Sequence, residues 1–273
     1  MTDNLSNITI GIVGNGKVGS VLARSFTSAG YPISCVVAID SSSRALDSKI
    51  PVLGSIEQIP SGIKCLLMCV PDKEIRNVIE ELLRLRKIEK GMVVGHTAGA
   101  ESAEILAALR DHGATVMAWH PMQTFTGEEG AELLKGVTIG IDGDPEAVAI
   151  GKQIAKRIGS EPYCVPPEMR PLYHLGGVFA CNFMSALTAI SADLLTEVGM
   201  ERNRAFQTLA PLLERTIQNI NSLGLPDAIT GPVSRGDTET ISKHEEVLED
   251  HPKALEVYRL LSGVLKKEIE GKI

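Results

Sequence analysis

The stretch "ITIGIVGNGKVGSVLARSFTSAG" constrains this chain more than any other. Residues 8 to 14 form a short, β-branched apolar run that ends in glycine. Val18, Val21, Leu22 and Phe26 then recur at helical spacing. The order is strand, turn, helix, and the turn carries Gly14-x-Gly16-x-x-Gly19. In that context each glycine has a physical role. The first permits a tight turn, the second lets backbone approach a pyrophosphate, and the third lets helix meet strand. The helix start, with Asn15, Lys17 and Val18, offers unpaired N–H groups to an anion. The pattern implies dinucleotide binding; its bland alternative is a glycine turn that merely packs tightly.

Further apolar runs without polar alternation read as buried strands: 33–40, 64–70, 92–97, 115–120 and 137–143. Helical patterns that stop at glycine, "DKEIRNVIEELLRLRKIEKG" and "ESAEILAALRDHG", separate several of them. Such runs joined by helices imply a parallel sheet covered on both faces. The expected fold is α/β, an N-terminal Rossmann-type doubly wound parallel sheet over 1–165 followed by an all-α C-terminal domain over 166–273. The Pro-rich joint "EPYCVPPEMRP" marks the boundary.

The composition excludes several classes. A chain of 273 residues with 44% hydrophobic and 22% charged residues is ordinary globular material of two-domain length. A net charge of −7 without a Lys/Arg run disfavours nucleic acid as a partner. The N-terminus has no signal-type apolar segment, and no window reaches about 18 uninterrupted apolar residues, so a soluble cytoplasmic protein is expected, without a membrane partner. Five cysteines without CxxC spacing read as buried thiols, and no HExxH or Cys/His pairing supports a metal.

In open parallel sheets ligands sit beyond the carboxyl ends of the strands. The chain leaves three predicted strands there through Val70, Pro71 and Asp72, through His96 and Thr97, and through His120, Pro121 and Gln123. Asp40 ends the second strand about 20 residues after the glycine loop, where an acidic group holds the ribose 2′-hydroxyl of NAD. Ser42 and Arg44 follow it and suit the 2′-phosphate of NADP. The choice of NADP or NAD stays open.

In the second half, His174, Val178, Asn182 and Ser185 recur at helical spacing on a helix apolar enough to be buried. Helices are also expected over 201–224 and 252–269. Between them "TGPVSRGDTETISKH" reads as a turn feeding a helix N-terminus, either a solvated loop or part of a site.

Taken together, "GIVGNGKVG", "HTAGA", "HPMQTF", "YHLGGVFACN" and "GPVSRGD" followed by His244 resemble a Rossmann-like two-domain family often labelled NADP oxidoreductases, with a helical C-terminal domain of unknown function. That family looks like a distant relative of pyrroline-carboxylate reductase, ketopantoate reductase and the β-hydroxyacid dehydrogenases. The resemblance spans nearly the whole chain. It implies that Gly14, Gly16 and Gly19 meet the pyrophosphate, and that His96, His120, His174, Asn182, Arg235, Asp237 and His244 surround a cleft between the domains. It also implies a helical domain that dimerises. Two departures stand out: Val178 occupies the position of the catalytic lysine in the dehydrogenase and ketopantoate reductase relatives, and Asp40 stands where NADP-preferring relatives tend to have arginine.

The expected activity is hydride transfer to or from a small carbonyl, imine or hydroxy compound, with carboxylates among the candidate substrates. Negative charge develops on the substrate heteroatom, so a proton donor and an anchor are needed. His174 or His120 is the expected donor, Asn182 the orienting group and Arg235 the carboxylate anchor, with Asp237 holding His244 or Arg235. The alternative is a non-catalytic NAD(P)-binding redox-sensing regulator.

Overall fold

The computed structural model describes residues 8–38 and 46–271. The chain forms two compact units, Met1–Cys181 and Asn182–Ile273.

The first unit is built on eight strands: β1 (Ile10–Val13), β2 (Ile33–Val37), β3 (Val52–Leu53), β4 (Cys65–Met68), β5 (Val93–His96), β6 (Thr115–Pro121), β7 (Thr138–Gly143) and β8 (Glu161–Cys164). Their order is β3-β2-β1-β4-β5-β6-β7-β8. The first six therefore follow the doubly wound order, reversing direction between β1 and β4. Helices α1 (Lys17–Ser28), α2 (Ile75–Arg84) and α3 (Pro145–Arg157) cover the sheet. Successive strand residues feed opposite cores. Ile10, Ile12, Cys65 and Leu67 join Phe26, Trp119 and Ile154 on one face. Val13, Leu66 and Met68 join Ile75, Ile79 and Leu106 on the other. A strand buried on both faces has no polar side, which is why these runs show no alternation.

Three features depart from the sequence expectation. The β7 strand runs antiparallel to β6, with Trp119 opposite Ile141 and His120 opposite Gly140. The connection between them contains only a short 3-10 turn, Ala131–Leu134, whereas a parallel pair is usually joined by a crossover helix. The strand β8, Glu161–Cys164, was hidden in the Pro-rich joint. It is a largely exposed edge, where Pro162 is tolerated and no apolar run betrays it. Finally, "ESAEILAALRDHG" forms a 3-10 rather than an α-helix over Ala103–His112. Its buried residues Ala103, Leu106 and Leu109 recur every third position, which is the 3-10 period.

The cysteines divide: Cys35, Cys65 and Cys69 are buried as expected, whereas Cys164 is exposed and Cys181 is half-buried. The exposed edge strand accounts for Cys164.

Helix α4 (Arg170–Val178) starts against the sheet, and a π-helical turn, Phe179–Phe183, continues it into α5 (Met184–Glu197). The stretch Pro167–Glu197 is long and apolar enough to cross a membrane by length and composition, yet its Arg170 is fully buried in an ion pair with Asp142 of β7. The second unit continues through α6 (Arg202–Leu223), α7 (Pro232–Arg235), α8 (Thr238–Val247) and α9 (Pro252–Ile269). Its described buried hydrophobics are only Ala192, Ala205 and Leu248. The expectation of a buried α5 is corrected accordingly. Asn182 and Ser185 are exposed, and so are Phe183, Met184 and Leu187.

Candidate functional site

The carboxyl ends of β1, β4, β5 and β6 open into one cavity of about 860 Å³ within the first unit. Its wall begins at the glycine loop, where the three glycines are needed for different reasons. Gly14 has φ +107°, and a Cβ there would run into the carbonyl of Cys69. A Cβ on Gly19 would collide with the carbonyl of Gly14. Both are fixed by protein packing. Gly16, the N-cap of α1, is different: its extended backbone suits other residues, and a Cβ there would meet nothing within 4 Å. Its space opens on the cavity it lines, together with Asn15, Lys17 and Val18.

Val70, Pro71 and Asp72 follow β4 into the same cavity. Cys69 lies beside them, but burial raises its thiol to about 12, so it is no nucleophile. Thr97 after β5 is tied to β4 through its amide and hydroxyl, which both donate to the Met68 carbonyl at 3.1 and 3.4 Å.

His96 and His120 part company. His96 is fully buried and does not line the cavity; its Nε2 donates to the Ser102 carbonyl at 3.1 Å. His120 and His174 do line it, with ring centroids 5.6 Å apart and nearly perpendicular planes. The carbon of Gly99 lets them come so close to the turn after β5. A Cβ at that position would strike the His174 ring and lie 2.8 Å from His120 Nε2. Burial, reinforced by Arg170 and the neighbouring histidines, lowers His120 to about 4. Burial likewise takes His96 to about 4. His120 is thus held as a neutral imidazole at physiological pH, with its pKa well below the ordinary histidine range.

Sequence reading missed Arg170, Asp142 and Tyr173. Arg170 Nη1 lies 2.9 Å from Asp142 Oδ2, and its two Nη groups donate to the carbonyls of Gly140 and Ala98 at 3.4 and 3.3 Å. Tyr173 packs edge-on to His120 at 5.9 Å between centroids. The signal was present: Asp142 is the one charge inside "VTIGIDG", and Arg170 is the one cation in "VPPEMRPLYHLGGV". Each charge in such an apolar run points to a buried partner.

The remaining expected residues lie in the second unit, where their described partners are local. Asp237 is the N-cap of α8, accepting from the Thr240 amide at 3.0 Å and hydroxyl at 2.8 Å. Arg235 stands 4.0 Å from Asp237 and keeps most of its side chain exposed. His244 Nδ1 is hydrogen-bonded to Tyr258 Oη at 3.0 Å. Asp40, Ser42 and Arg44 fall outside the described residues.

Strand order, glycine loop and cavity at the reversal point define a Rossmann-type protein carrying an additional helical unit. Residues 3–121 match the sequence profile of a Rossmann-like domain, and residues 137–264 match that of a domain of unknown function, DUF2520. The chain therefore joins these two domains, the organisation its motifs resemble.

Among solved structures, a Bacteroides fragilis protein whose name as an NADP oxidoreductase is itself provisional is 26% identical, with a TM-score of 0.76, over 97% of this chain and 100% of that one. A Thermotoga maritima protein is 24% identical, with a TM-score of 0.73, over 96% and 99%. The pyrroline carboxylate reductase of Plasmodium falciparum, solved with NADP bound, is 12% identical, with a TM-score of 0.62, over 96% and 100%. These likenesses establish the fold. No curated protein matches the chain by sequence.

Proposed function

We propose that this protein is a nicotinamide-dependent oxidoreductase, using NADP or NAD, that acts on a small carbonyl, imine or hydroxy compound. The carrying observation is Gly16. Packing explains Gly14 and Gly19, whereas at Gly16 nothing of the protein comes within 4 Å of a Cβ, so its bare backbone lies open to a ligand in the cavity it lines. The residues fit the dinucleotide: Gly14, Asn15, Gly16, Lys17, Val18 and Gly19 would hold its pyrophosphate, and Val70, Pro71 and Thr97 would border its nicotinamide. Bound there, the nicotinamide would supply or accept the hydride. The NADP assignment of the Bacteroides fragilis relative supports the same reading.

The chain's own residues do the rest. A neutral His120 donates one hydrogen bond to a developing oxyanion without surrendering a proton readily, as a preorganised dipole should. His174, its neighbour in the cavity, is the proposed proton donor. Asn182 is proposed to orient the substrate. Arg235 is proposed as anchor for a substrate carboxylate, since its exposed guanidinium is not locked in a tight pair.

The test is a titration with NADH and NADPH in turn, followed by energy transfer from Trp119, the single tryptophan. One form should bind tightly, and His174→Ala should lower turnover on keto acids or imines at nearly unchanged cofactor affinity. Absence of binding by both forms would sink the proposal. One observation favours the redox-sensing alternative: the cavity's lysines, Lys17 and Lys73, come from the glycine loop and the turn after β4, and the lysine position of the relatives holds Val178. That reading predicts cofactor binding without turnover.

We also propose a homodimer formed through the helical unit, whose apolar faces are exposed in a single chain.

A further inference from the structure

We propose that Arg170 and Asp142 are positioning residues: their buried ion pair clamps the turn after β5 under His120 and His174 and fixes the electrostatic setting of that histidine pair. The purpose of the clamp rests on the oxidoreductase reading; its existence does not.

Every bond in it joins a different piece of chain. Asp142 of β7 accepts from the Ala103 amide at 2.8 Å, at the far end of the turn, and pairs with Arg170 at 2.9 Å. Arg170, from the first turn of α4, reaches the Ala98 carbonyl at the near end and the Gly140 carbonyl of β7. His96 adds its bond to Ser102. The turn from Thr97 to Ala103 is thus held at both ends, and it carries Gly99, against which both imidazoles rest. The same first turns of α4 deliver His174 to the cavity and Tyr173 against the His120 ring.

Arg170 and Asp142 are buried, with 0% and 6% of their surface exposed, so their fields are little screened by water. An ion pair in such a place adds little to stability over apolar residues of similar size. Its value lies in its directed bonds. The groups around His120 are His96 from β5 and Arg170, Tyr173 and His174 from α4, while on β7 its register partner is Gly140, two residues before Asp142. After burial, the Arg170 guanidinium has the largest influence on it, and its positive charge opposes protonation of the ring.

The experiment is an NMR titration of histidine-labelled, unliganded protein, with the His120 signal identified by its loss in His120→Gln. Amide exchange and NADPH and NADH affinities are measured beside it. In the native protein the His120 midpoint should lie near 4, and the Ala103 amide should exchange among the slowest. A midpoint near the ordinary value of about 6.5, or a fast Ala103 amide, overturns the proposal, and both are read even where variants fail to fold.

The neutral pair Arg170→Gln with Asp142→Asn should raise the midpoint, because the guanidinium that opposes protonation of the ring is gone. An unchanged midpoint in the folded double variant overturns the proposal. Arg170→Lys keeps the charge but loses the fork, so the midpoint should stay low while the amides of the 97–103 turn exchange at least about tenfold faster. Unchanged exchange overturns the clamp. Failure of the native protein to bind either dinucleotide sinks the oxidoreductase reading and leaves these results readable.

Discussion

At the scale of residues, the three glycines make a prediction that separates packing from binding. Gly19→Ala should destabilise by about 1 to 3 kcal/mol or more, because its methyl meets a backbone carbonyl that cannot yield. Gly16→Ala should cost less than about 1 kcal/mol, the cost of a poorer helix cap, yet weaken dinucleotide binding about tenfold or more. Melting curves and titrations on the two variants decide, and a Gly16→Ala protein that binds normally refutes the cradle. The buried histidines make a second prediction. In the folded chain His96 and His120 resist protonation until about pH 4, whereas the unfolded chain takes up both protons near 6.5. Stability should therefore be full above pH 6.5 and fall as pH drops from 6.5 to 4, with no further loss from these groups below that. Each unit of displacement is worth about 1.4 kcal/mol per histidine. Urea unfolding at pH 7 and pH 4.5 measures it, and His96→Gln should flatten the slope. Both histidines were visible in the sequence as strand-end residues. Their different fates were not, because whether a side chain faces a cavity or a wall depends on which loop covers it.

At the scale of elements, the helix over 238–247 shows how a sequence motif can be right in form and open in purpose. "GPVSRGD" does feed a helix N-terminus, and Asp237 is its cap. A cap alone predicts that Asp237→Asn is nearly silent, since asparagine caps as well as aspartate, while Asp237→Ala lowers the melting temperature of the helical unit. A role in holding Arg235 predicts instead that Asp237→Asn loses turnover at unchanged stability. Measuring both variants for melting and for activity distinguishes the two. The strands β1, β4, β5 and β6 were legible because each is a run of mainly apolar residues without polar alternation. The β8 strand was not, because an exposed edge asks for no hydrophobic pattern. The 3-10 run at 103–112 could have been read from its three-residue spacing, which helical expectation absorbed as i, i+3.

At the scale of the whole molecule, the two units differ in how they satisfy their apolar residues. The first buries them on both faces of its sheet. The second leaves Phe206, Leu212, Ile217, Ile220, Leu260 and Leu261 exposed, more than a solvated surface normally carries. The proposed homodimer predicts sedimentation at twice the chain mass of 29.2 kDa, and Leu212→Glu with Ile217→Glu should shift the protein towards monomer. A native protein that sediments as a monomer, or stays in solution only with detergent, would overturn it.

Apolar period and glycine spacing set the class of fold and the loop that borders the cavity, because both are local and act through the chain's own backbone. The tertiary structure alone decided the antiparallel edge, the separation of His96 from His120, and the burial of Arg170 against Asp142. The burial of Arg170 depends on partners far along the chain, and its bond to the Ala98 carbonyl spans a separation of 72 residues. No local pattern encodes such a pairing. It exists only once β7 has turned back on β6 and the first turn of α4 has closed over them.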